Sequence, residues 1–166
     1  MRLKSPLSVA VAAVLLLAAP ACGKSKDAHA VKVREIPVGS LPAEMLGMRL
    51  EREESASLVH AKRPFIEEVG LFSMRKDALL QATLQISRFT KQSKAEDAQF
   101  RQSVVAQVST STPQVLRMGN ELVYMSAGQK QSLVVWFKKR TMFVLAVRQE
   151  YEQPRALLRK VLELPA

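Results

Sequence analysis

The chain has 166 residues, one cysteine, one tryptophan and a formal net charge of +10, with 48% of its residues apolar. That length suits one ordinary domain, and the apolar fraction excludes a wholly disordered chain. A lone cysteine excludes an internal disulfide framework and any multi-cysteine zinc site.

The N-terminus reads as an export signal. Arg2 and Lys4 precede an apolar run from Leu7 through Val14-Leu15-Leu16-Leu17 to Ala19, and small residues lead to Ala21-Cys22-Gly23. Basic, then apolar, then small is the order of a secretory signal. The run is about 15 residues, short of the roughly 20 a transmembrane helix needs. Cleavage after Ala21 removes Arg2 and Lys4 and leaves 23 basic against 15 acidic residues, a net +8.

The one cysteine stands immediately behind that signal. Ala19-Pro20-Ala21-Cys22 resembles the lipobox of bacterial lipoproteins. The resemblance covers residues 1–22. It implies a diacylglycerol thioether on Cys22, cleavage between Ala21 and Cys22, and a palmitate-type acyl anchor. The protein would then sit in the cell envelope, on the outer side of the plasma membrane or on the outer membrane of a Gram-negative cell. Two acyl chains hold a protein stably on a bilayer where one does not. The same Ala19-Pro20-Ala21 run also fits simple secretion with cleavage after Ala21. Gly23 occupies the position where many inner-membrane lipoproteins carry Asp.

Three regions are expected: a signal peptide over 1–21, a flexible lipid-anchored tether over 22–35, and a single domain over 36–166. The tether, Gly23-Lys24-Ser25-Lys26 onward, is polar and aperiodic. Pro37, Gly39 and Pro42 punctuate the next segment, where 43–48 reads as a short helix ending at Gly47. Residues 49–60 read as irregular, with one edge strand.

From residue 65 the patterning sharpens. Strands are expected over 67–75 and 78–89. In the second, Leu80, Ala82, Leu84 and Ile86 alternate with Gln81, Thr83, Gln85 and Ser87. Ser93 and Glu96 have capping-box spacing, and a helix over 94–109 stacks Phe100, Val104 and Val108. Four strands follow, at 114–118, 121–126, 132–138 and 141–149, separated by Gly119-Asn120, Gly128 and Lys139-Arg140. Pro154 opens a last helix with Leu157, Leu158, Val161 and Leu162 as its apolar stripe. The order ββαββββα predicts an α+β domain: an antiparallel sheet of five to six strands with two helices on one face.

Chemistry is sparse in this sequence. It contains no phosphate-binding loop, GxGxxG, HExxH or GxSxG, and no set of metal ligands at useful spacing. No catalytic residue, metal or cofactor is therefore expected. His29 falls in the tether and His60 near a segment boundary. Ser73-Met74-Arg75-Lys76 has SxxK spacing but ends a strand, where that chemistry needs one helical turn. Glu67 and Glu68 alternate across a strand and read as solvated charges.

The strongest signal is hydrophobic. Leu133, Val135 and Phe137 fall on one face of their strand, and Val134 and Trp136 on the other. A two-layer domain leaves one face of such a strand polar. Either residues 36–60 cover the second face, or it forms a binding patch, with Tyr124, Met125, Trp136 and Met142 as candidates. Lys138-Lys139-Arg140 forms a candidate basic tip for anionic envelope polymers or headgroups. Export argues against nucleic acid. These features point to a membrane-anchored envelope protein with a non-catalytic binding or accessory role, for an envelope protein partner. A carrier of lipid or another apolar ligand remains the alternative.

Overall fold

A computed structural model describes residues 31–53, 62–63, 65–109 and 111–166. The signal sequence, Cys22, His29 and His60 lie outside the described residues. Among the described residues are a short 3-10 turn at Val38–Ser40 and, in chain order, eleven strands and three α-helices. They are β1 (Val31–Lys32), β2 (Arg34–Glu35), β3 (Glu44–Met45), β4 (Met48–Arg52), β5 (Lys62–Arg63), β6 (Ile66–Lys76), β7 (Leu79–Phe89), α1 (Gln92–Glu96), α2 (Ala98–Val108), β8 (Gln114–Met118), β9 (Glu121–Ala127), β10 (Gln131–Lys138), β11 (Thr141–Arg148) and α3 (Pro154–Leu162).

Nine strands form one sheet in the order β3-β4-β6-β7-β11-β10-β9-β8, with β2 added parallel to the start of β6. The remaining pair, β1 and β5, makes a small separate ladder. The fold is thus α+β and mostly antiparallel. Its sheet is larger than the five to six strands expected, because β2, β3 and β4 join it from a segment with no readable period. The expected tether of residues 22–35 is folded at its described end: Val31–Glu35 lie in β1 and β2, and Val33 between them is 1% exposed.

Turn chemistry fixes the hairpins. Asp77 and Ala78 both adopt positive φ between Lys76 and Leu79, as a type I′ turn requires. Leu46 and Gly47 do the same between Met45 and Met48. A hairpin therefore replaces the short helix expected over 43–48. Gly119, at φ +61, opens the two-residue turn between β8 and β9.

The expected helix over 94–109 is broken in two. Asp97 takes an extended conformation that ends α1, and its carboxylate accepts the Phe100 N–H at 3.0 Å as the N-cap of α2. The capping-box reading of Ser93 gives way to this cap. The N-cap hydrogen bond, chiefly, holds the exposed Asp97 carboxyl below its ordinary range.

The helices do not share one face, which corrects the two-layer expectation. α1 and α2 bury Ala95, Val104, Val105 and Val108 against Leu133, Val135, Phe137, Met142, Val144 and Ala146. On the other face, α3 buries Leu157, Leu158 and Val161 against Val134, Trp136, Phe143, Leu145 and Val147. Ile36, Met45 and Met48 extend that second layer. The physical reason lies in β10 and β11, which are apolar on both sides and must be covered twice.

Trp136 is fully buried, stacked on Phe143 across the β10–β11 pair with ring centroids 4.9 Å apart and planes 3° from parallel. Its indole N–H finds no acceptor among the described residues. Replacing Trp136 with Ala should cost about 3–5 kcal/mol in urea unfolding. Trp136→Phe keeps a ring against Phe143 and removes the orphan donor, so it should cost clearly less. Equal losses for the two variants would contradict this packing.

Candidate functional site

Both faces of the β10–β11 pair are occupied, and open described surface includes the ends of the strands and the β8 edge, where Val115 and Leu116 are exposed. The register defines the two ends. At one, the near end, lie the start of β6, the end of β7 and the β10–β11 turn. Thr90 N–H donates to the Phe65 carbonyl, and Phe89 N–H donates to the Arg140 carbonyl, both at 2.8 Å. At the opposite, far end lie the β3–β4 turn, the β6–β7 turn and the β11–α3 loop.

A cleft of about 230 Å³ opens at the far end. Its apolar wall is Leu46, Leu79 and Tyr151, and Leu79 is 60% exposed. Its carboxylates are Asp77, Glu150 and Glu152, against one lysine, Lys76. Glu150 is held by Arg148, whereas Asp77 and Glu152 make no ion pair with any described residue. Tyr151 packs against the core beneath. Burial, and then the Glu152 carboxylate, push its phenol above the ordinary tyrosine range. An apolar wall beside unpaired carboxylates suits a basic group carried on an apolar stem.

The four residues expected to form an apolar patch do not converge. Trp136 and Met125 belong to the α3 side of the sheet, and Met142 and Tyr124 to the α1–α2 side. Trp136 and Met142 are fully buried. Neighbouring residues on a strand point to opposite faces, so adjacency at Tyr124-Met125 separates rather than joins them. The second face is covered as one expectation held, though by α3 together with residues 36–48.

The basic tip is also divided. Lys138 donates through Nζ to the carbonyls of Leu162 and Leu164, at 3.2 and 2.9 Å, and so neutralises the C-terminal end of α3. Arg140 pairs with Glu67 at 2.7 Å. Lys139 and Arg140 are both exposed in the turn, and Lys139, at φ +51, makes no ion pair with a described residue. Glu67 and Glu68 are not the solvated charges expected. A bulge between Ile66 and Glu68 turns them toward separate arginines, and Glu68 pairs with both Arg34 and Arg88. Ser73 is 1% exposed, with its hydroxyl 3.5 Å from the Glu51 carbonyl, and Lys76 lies in the exposed far-end turn.

No protein-family model matches the chain, and no curated protein matches it. Among solved structures, a GTP-binding regulator from Thermotoga maritima is similar over 66% of this chain and 73% of its own, at 13% identity and a TM-score of 0.39. A likeness at that level carries nothing about what this chain does.

Sequence reading missed the cleft because its walls come from three distant turns. One local signal was present: Glu150-Tyr151-Glu152 is an acidic run with an aromatic centre in a strongly basic chain. Substituting Glu152 with Gln should lower the Tyr151 pKa part of the way toward its ordinary value, read as phenolate absorbance against pH. The part due to burial should persist. An unchanged titration would remove Glu152 from the site's electrostatics.

Proposed function

We propose that the chain is a lipid-anchored protein of the bacterial cell envelope whose α+β domain binds a partner without catalysing a reaction. The single observation that carries this reading is the run of Arg2, Lys4, an apolar stretch and Ala19-Pro20-Ala21, ending at the chain's one cysteine. A lone cysteine at a processed N-terminus has no thiol to pair with, and acylation accounts for its place. Each buried methylene adds about 0.8 kcal/mol of membrane affinity, so two acyl chains suffice for stable attachment.

The geometry supports a binding role at the far end. The chain enters the sheet at β2, which pairs with Glu68 and Val69 at the near end. The cleft bounded by Leu46, Asp77 and Tyr151 is at the other extreme of the strands from the point where β2 enters. Its chemistry fits a lysine or arginine side chain of an envelope protein partner, the apolar stem against Leu79 and Tyr151 and the charge near Asp77 and Glu152.

Replacing Cys22 with Ser should abolish labelling by palmitate and leave the precursor uncleaved or the protein displaced from the membrane fraction. A Cys22→Ser protein that still incorporates palmitate and is processed normally would sink the reading.

A further inference from the structure

We propose that the near end of the domain is a docking surface for anionic phospholipid, so that the protein lies against its membrane in one orientation. This inference rests on the lipid-anchored reading and adds to it the surface that meets the bilayer.

Topology gathers cations at that end. β2 enters beside the start of β6 with Lys32 just before it. Lys91 follows β7, Lys139 occupies the β10–β11 turn, and Lys160 sits in the last turn of α3. The end of α3 is fixed here because Lys138 binds the carbonyls of Leu162 and Leu164. Most carboxylates of this end are consumed inside it, whereas Glu121, at the start of β9, makes no ion pair with a described residue. Glu67 is spent on Arg140, Glu68 on Arg34 and Arg88, Asp97 on the α2 cap and Lys94, and Glu163 on Lys160. Glu96 is exposed and bonded to Gln92. Lys32, Lys91 and Lys139 are exposed, and their ammonium groups make no ion pair with a described residue. The far-end cleft has the opposite balance, three carboxylates to one lysine.

The occupant follows from charge and reach. Cys22 is nine residues from Val31, and nine residues span at most about 30 Å. An acylated Cys22 therefore keeps the near end within about one domain diameter of the headgroups. Basic residues held near an anionic leaflet are attracted within a Debye length of it, about 8–10 Å at ordinary salt. A surface on which the unpaired cations Lys32, Lys91, Arg117 and Lys139 outnumber the unpaired carboxylates Glu96 and Glu121, tethered within reach of the bilayer, fits phosphatidylglycerol-type headgroups.

The full acylated chain, reconstituted in vesicles, tests this. One set is pure phosphatidylcholine; in the other a third is replaced by phosphatidylglycerol. A fluorophore is placed on Ser93→Cys, exposed between Lys91 and Lys94, or on Gln129→Cys in the exposed far-end turn between β9 and β10. Nitroxide on the headgroups reads proximity. The Ser93 label should be quenched in the anionic vesicles and much less in the neutral ones, and the Gln129 label in neither. Combining Lys91→Gln with Lys139→Gln should lower the docked-to-undocked ratio about thirty-fold, with an unchanged urea midpoint. Equal quenching at Ser93 in both vesicles, or quenching at Gln129 instead, would overturn the proposal. The mass of the N-terminal peptide separates the two readings. An acylated chain whose Ser93 label ignores phosphatidylglycerol removes the docking and keeps the anchor. An unacylated chain that docks on the anionic vesicles through the Ser93 end keeps the docking and removes the anchor.

Discussion

The β10–β11 hairpin is apolar on both of its faces, and the architecture follows from covering it twice. Leu133, Val135 and Phe137 look one way, and Val134 and Trp136 the other, while β11 repeats the pattern with Met142 to Val147. Leaving either side wet would expose several large side chains, each stabilised by about 1.5–3 kcal/mol when buried. Two separate layers meet the demand. α1 and α2 cross one side on the way from β7 to the distant edge strand β8. α3 returns along the other side and is pinned at its end by Lys138. The Trp136–Phe143 stack sits at the centre of that second layer.

A sheet whose centre is covered on both faces presents its strand ends and its edges. The two ends differ in chemistry. Most arginines and carboxylates at the near end neutralise one another in pairs that bind β2, β6, β7 and the β10–β11 turn together, and the cations left over outnumber the carboxylates left over. The far-end cleft combines unpaired Asp77 and Glu152 with Leu46, Leu79 and Tyr151. The chain enters at the basic end. A protein acylated at Cys22 would thus turn its acidic, partly apolar cleft outward, which gives a physical meaning to an excess of positive charge that no nucleic-acid motif accounts for.

Much of this fold is legible in the sequence from residue 66 onward. The strands beginning at Ile66, Leu79, Gln114, Glu121, Gln131 and Thr141 show in alternation and in turn residues, and α3 shows in Pro154 and its leucine stripe. The N-terminal part is not legible, for a local reason. A two-residue strand has no period, and a glycine at positive φ ends a helix and closes a type I′ hairpin equally well. Leu46-Gly47 was therefore ambiguous until its partner strand was known. Asp97 divided a helix that apolar spacing alone made continuous. Parity across turns cannot be read from sequence either, so Tyr124, Met125, Trp136 and Met142 looked like one patch though the sheet separates them. The cleft was hidden because residues 46, 77 and 151 meet only in three dimensions. Cys22, by contrast, is marked by sequence alone.

Native-state hydrogen exchange tests most directly the claim that both faces of the hairpin are sealed by separate layers. Amides of Leu133–Phe137 and Met142–Val147 should exchange only through global unfolding, at one common free energy equal to that from urea denaturation. The outward amides of the β8 edge strand should exchange far faster. Fast exchange across β10 and β11, at rates like those of β8, would show a face left open and would contradict the account.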